Sequence, residues 1–209
     1  MSPADDVFQP GDIAVCFGRD IASRVVSTAT LQLAAPAGLR WGPSHVAILS
    51  PHAGDCLWVE STTLAARPCL IQGRCVSGVQ AHRPVDRIGD YSHPGGRVDL
   101  YRLVDIEMLA ASEVRLLAHI LFDHFLARSV TYDLCGALLS GTRVFQLTRF
   151  FPGADFHQLF CSELVAAVLM RLGRLGRGNP TRYPPARLLR ALVRNGTYRR
   201  CARWEGVRR

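Results

Sequence analysis

Two apolar runs on either side of a turn signal constrain this chain more than any other stretch of it. Ser44-His-Val-Ala-Ile-Leu-Ser50 and Cys56-Leu-Trp-Val-Glu-Ser61 are dominated by aliphatic and aromatic residues, and Pro51-His-Ala-Gly-Asp55 lies between them. Runs of this length bounded by Pro and Gly read as two strands of a hairpin. Each run carries one residue that an apolar strand does not favour: His45 in the first and Glu60 in the second. A carboxylate inside Leu-Trp-Val-Glu is costly unless it faces water or finds a partner. A four-residue loop, 51–54, sets Ser50 against Asp55 and therefore His45 directly opposite Glu60. Cβ atoms of an opposed pair lie about 4.5–5.5 Å apart, within reach of a carboxylate–imidazole hydrogen bond. A slip of one residue would send the two side chains to opposite faces. Taken alone, a strand histidine with apolar neighbours is more often structural than catalytic.

The rest of the chain supplies elements for that hairpin to pack against. Gly11-Asp12 leads into Ile13–Phe17, an apolar strand, and Asp20 stands at the N-cap of a helical stretch from Ile21 to about Leu33. Residues 74–82 and 97–103 read as further strands. Ser112-Glu113 opens an amphipathic helix through Ala127, another helix begins near Phe160, and a third follows Pro184-Pro185. There is no internal repeat, low-complexity segment or linker. The expectation is one domain over residues 1–209, of α+β class, with a mainly antiparallel sheet and helices to one side. A chain of 209 residues is long enough to bury a substantial core.

The seven cysteines are odd in number, and no C-x-x-C pair occurs among them. Reduced thiols are therefore expected, and neither a disulfide framework nor a zinc ribbon. His119 and His124, five apart, fall on different faces of a helix and make a poor metal pair. No metal or other cofactor is expected. Cys161 stands apart because it opens the helix Cys161–Met170, with Ser162 and Glu163 in its first turn. A cysteine there is usually a small core residue. The same position offers unpaired backbone N–H groups and a partial positive charge, which favour a thiolate and can donate to an oxyanion. A nucleophile, a base and an orienting carboxylate are thus present in Cys161, His45 and Glu60.

Charge is unevenly distributed. Residues 1–170 hold 13 Arg against 16 acidic residues, whereas residues 171–209 hold 12 Arg against Glu205 alone. This basic, Arg-rich C-terminal segment suits a weak contact with an anionic membrane surface. All 25 basic residues are Arg, however, which fits compositional bias on a solvated face equally well. Nucleic-acid binding is disfavoured, since no recognised motif accompanies the charge. The chain begins Met-Ser-Pro-Ala-Asp-Asp without a signal-peptide pattern, and its longest apolar run, Leu164–Met170, is too short for a bilayer, so the expected location is the cytoplasm.

Gly11-Asp12-Ile13, Ser44-His45-Val46, Val59-Glu60, Tyr132-Asp133 and Phe160-Cys161-Ser162-Glu163-Leu164-Val165 together resemble the circularly permuted NlpC-type papain-like cysteine hydrolases, in their YiiX/YaeF-like branch. Cys-Ser-Glu-Leu-Val is the most specific of these segments, and the likeness spans roughly residues 10–190. In that family the chain order is His, Glu, Cys. The resemblance implies a permuted papain-like fold whose sheet carries His45 and Glu60, packed against the helix bearing the nucleophile. It implies Cys161 as nucleophile, His45 as general base and then acid, and Glu60 as the group that orients the imidazole. Tyr132 and Ser162 are the candidates for substrate binding or the oxyanion site, with a structural role for Tyr132 weighed equally. The reaction implied is hydrolysis of an amide, ester or thioester in a peptide-like or acyl-containing substrate. Acyl transfer to a lipid or amine, and a non-catalytic binding module, are the alternatives. Phe145, Phe150, Phe151, Phe156 and Phe160 form a Phe-rich stretch before the cysteine, read either as an acyl-chain groove or as core packing, the latter preferred. Gln158 is a weaker oxyanion candidate.

Overall fold

A computed structural model describes residues 7–18, 42–93, 95–128 and 160–206. The hairpin is present as β2 (His45–His52) and β3 (Asp55–Thr62), which extend β1 (Ile13–Phe17) into a sheet. With β4 (Gly78–His82), β5 (Arg97–Leu103) and β6 (Tyr198–Glu205), the antiparallel order is β4-β3-β2-β1-β5-β6.

The hairpin register differs from the expected one. Ser50 faces Leu57 and His52 faces Asp55, so the loop is the two residues Ala53 and Gly54. Both have positive φ, 50° and 91°, the geometry of a turn whose twist matches that of the flanking strands. Pro51 joins the strand because its N–H would point the same way as that of Leu49, toward β1. The Leu49 N–H bonds Asp12, near the start of β1, and no β1 residue pairs beyond Ile48, so a proline at 51 breaks no ladder bond there. The shift is two residues, and an even shift keeps His45 and Glu60 on one face.

The sheet is covered on both sides, which corrects the expectation of helices to one side. On one face Ile13, Val15, Val46, Ile48, Val59 and Val79 pack against helices α2 (Ala111–Ala118), α3 (Cys161–Arg171) and α4 (Pro185–Arg194). The chain continues from α2 through π-helical turns, His119–Leu126, which place Leu121, Phe122, Phe125 and Leu126 in the same core. On the other face Ala14, Cys16, Ala47, Leu49, Trp58, Val98 and Leu100 form a second core beneath helix α1 (Pro84–Ser92), which contributes Ile88. Proline at the first turn of α1 and Asp86 just after it are ordinary start signals for a helix.

Of the expected strand at 74–82, only Gly78–His82 is extended. The expected helix at 21–33 lies outside the described residues. Gly-Asp before β1 proves to be structural. Gly11 adopts φ +87°, and Asp12 accepts hydrogen bonds from the Gln9 N–H and from Arg102 at 2.9 and 2.7 Å. Among the described residues no helix is long and apolar enough to cross a membrane. Several arginines of the basic segment are paired: Arg174 with Glu107 and Glu113, Arg199 with Asp105, and Arg200 and Arg203 with Asp99.

Candidate active site

Continuing the hairpin register places Glu60 across from Ala47, one diagonal step from His45. Diagonal neighbours on one face are still within reach of long side chains. The His45 Nε2–H donates to Glu60 Oε2 at 2.7 Å. A carboxylate can only accept, so this bond fixes the proton on Nε2 and leaves Nδ1 for a second partner. Cys161 is the other side chain that interacts with the ring.

Cys161 occupies the first position of α3, after Phe160, which is extended and offers no side-chain cap. Leucine, valine and alanine through the following turns bury the helix against β2 and β3, and that packing carries its N-terminus to the start of β2. The first-turn N–H groups of an α-helix have no acceptor within the helix. Those groups and the positive end of the macrodipole lie at the end of α3 that carries Cys161. Cys161 is 4% exposed and His45 8%.

Glu60 is fully buried and held on both oxygens. Oε1 accepts from Arg87 Nε at 2.7 Å and from Arg87 Nη2, while Oε2 accepts from Trp58 Nε1 at 2.8 Å and the Tyr91 hydroxyl at 3.1 Å, besides His45. Burial pushes this carboxyl up, but the His45 cation and hydrogen bond, then Arg87 and Trp58, hold it down at about 2. Burial likewise opposes the charged imidazole. The charges of Cys161 and Glu60 and their hydrogen bonds override it and lift His45 from 6.5 to about 9. At neutral pH the imidazolium is the favoured form. The Tyr91 ring stacks on His45, centroids 5.0 Å apart at 16°, and closes the other side of the imidazole.

His45, Glu60 and Cys161 are thus brought together. Ser162 is buried in the first turn of α3, and its hydroxyl has no hydrogen-bond partner among the described residues. Tyr132, Gln158 and Phe145, Phe150, Phe151 and Phe156 lie outside the described residues; Phe160 is buried in place. Arg87, Tyr91 and Trp58 were not anticipated. Their spacing carried a signal: Trp58 shares a strand face with Glu60, and Arg87 and Tyr91 are four apart, on one helical face.

The sequence matches no protein-family model and no curated protein. The class is defined by the fold, which is YiiX-like. The chain superposes on the crystal structure of the metalloprotein yiiX from Escherichia coli O157:H7 (DUF1105) with a TM-score of 0.55 at 15% identity, covering 94% of this chain and 98% of that one. At that identity the likeness is one of fold. The donor set around Glu60 does not fit a metal ion. Both oxygens already accept from cations or donors, His45 Nε2 is committed to the carboxylate, and no group of three or more His, Cys, Asp or Glu among the described residues could hold one. His119 pairs with Asp123 at 2.8 Å instead.

Proposed function

We propose that the chain is a thiol hydrolase of permuted papain-like type, cleaving an amide, ester or thioester bond through an acyl-enzyme on Cys161. The observation that carries this reading is the continuous order sulfur, imidazole, carboxylate, with the carboxylate itself immobilised. The Cys161 sulfur attacks the substrate carbonyl carbon, and the N–H groups at the start of α3 stabilise the oxyanion. His45, already an imidazolium, gives its Nδ1 proton to the leaving group as the carbonyl re-forms, leaving a thioester. The neutral imidazole then takes a proton from water, whose oxygen attacks the thioester. The acid product leaves and the proton returns the site to its resting state. Glu60 stays ionised throughout and keeps the ring oriented.

The chain order His45, Glu60, Cys161 and the local segments around them support the permuted papain-like assignment. Acyl transfer is the second reading. A cavity of about 510 Å³ beside the C-terminal half of α3, lined by Leu116, Ile120, Phe125 and Met170 but also by His119, His124 and Arg171, would suit an acyl chain with a polar head. The test is acyl-enzyme formation. Activated esters are expected to add one acyl mass to Cys161 and to decay in water, and Cys161→Ala abolishes the adduct. Decay only when a lipid or amine acceptor is added would favour the transferase. No adduct with any activated ester would remove the enzyme reading altogether.

A further inference from the structure

We infer that Arg87 is a positioning residue for the Cys161–His45 pair, holding Glu60 in place and balancing the charge of the buried site. This inference rests on the thiol-hydrolase reading. Arg87 and Glu60 are both fully buried, and Arg87 grips Oε1 with Nε and Nη2 while the imidazole side uses Oε2. The two oxygens therefore have separate tasks, one anchoring and one orienting. The grip is continued outward. Arg87 Nη1 donates to Asp90 Oδ2 at 3.0 Å, and Asp90 accepts from the half-exposed Arg67 at 2.9 Å through both Nε and Nη2.

Charge alternates along this path from the surface to the imidazole: Arg67, Asp90, Arg87, Glu60, His45. Without Arg87 the buried carboxylate loses its cation partner and the fork that fixes it, and the imidazolium that would support a thiolate at Cys161 is held less firmly. Among the described residues, the other titratable groups near the site do not replace Arg87. Cys16 on β1, His82 on β4, Tyr91 and Asp90 on α1, Asp99 on β5 and Glu163 on α3 supply no second cation at neutral pH: burial and the neighbouring Arg87 lower His82, and burial raises Tyr91 well above its ordinary value.

The experiment is the pH profile of Cys161 alkylation by iodoacetamide, read by peptide mass spectrometry, in wild type, Arg87→Gln and Arg87→Lys. The urea-unfolded chain is the reference. Wild type is expected to react with a midpoint at least one pH unit below the unfolded chain. Arg87→Gln is expected to raise that midpoint by about a unit, a tenfold slower reaction at pH 6. Arg87→Lys, which keeps the charge and loses the fork, should move it about half as far. A purely structural arginine would lower the melting temperature and leave the midpoint alone. If Arg87→Gln does not fold, Arg87→Lys decides: a shift of half a unit supports the inference and an unmoved midpoint overturns it. A wild-type midpoint equal to that of the unfolded chain would instead overturn the thiol-hydrolase reading itself.

Discussion

Glu60 meets His45 from a diagonal position in the hairpin, not from directly across it, and still places Oε2 2.7 Å from Nε2. The diagonal leaves room beside the imidazole for the Tyr91 ring, so the histidine is bonded on its edge and stacked on its face.

Replacing Glu60 by Gln removes the carboxylate that three donors and a cation share. Ester hydrolysis should slow by about a hundredfold, roughly 2.7 kcal/mol of barrier. Stability should also fall, by about 3–5 kcal/mol, because Arg87 loses its buried counter-ion and keeps only the partly exposed Asp90. A urea titration and a p-nitrophenyl ester assay measure the two effects. Full activity in the folded variant would remove Glu60 from the mechanism.

The titration of the pair predicts a window of stability. His45 is raised from 6.5 to about 9, so its contribution is complete below pH 6.5 and is lost as pH rises through 9. Glu60 is lowered from 4.5 to about 2, so its contribution is complete above pH 4.5 and is lost as pH falls through 2. Both are whole between about pH 4.5 and 6.5. From there to pH 9 the contribution of His45 to the unfolding free energy should decline by on the order of 3 kcal/mol. Denaturation curves at pH 5.5, 7.5 and 9 on wild type and His45→Gln check this; the alkaline decline should flatten in the variant, and an equal decline in both would count against it.

Ala53 holds a positive φ next to Gly54 in the hairpin turn. Asparagine tolerates that conformation better, so Ala53→Asn should stabilise the fold by about 1 kcal/mol. An unchanged urea midpoint would show that the turn relaxes in solution.

Gly11 has φ +87°, and a Cβ there would lie 2.9 Å from Leu109 Cδ1. Its N–H bonds Leu49 and its carbonyl accepts from the Tyr198 hydroxyl, so the backbone cannot swing away without loss. Gly11→Ala should therefore cost about 1–3 kcal/mol, measurable as a lower melting temperature.

Much of the sheet was legible because β1, β2, β3 and β5 are buried enough to read as apolar runs. β6 was not: Tyr-Arg-Arg-Cys-Ala-Arg-Trp-Glu is an edge strand whose exposed arginines mask its pairing with β5. The register was misjudged because Pro51 looks like a turn residue, and only the position of β1 shows that a strand can accommodate it there. His45, Glu60 and Cys161 could be picked out by residue type and local setting. Arg87 could not be linked to them, since its helix is nine residues long and an arginine on a short polar helix ordinarily faces water. Only the second core, which seats α1 on the sheet, turns it inward.

The placement of α1 and α3 on opposite faces has a practical consequence. The carboxylate is gripped from one layer and the sulfur is delivered from the other, so the imidazole at the rim of the sheet touches both. Any loosening of either layer's seating separates sulfur from ring. The reaction rate of a single thiol then serves as a gauge of interlayer alignment, sensitive to mutations far from it in both cores.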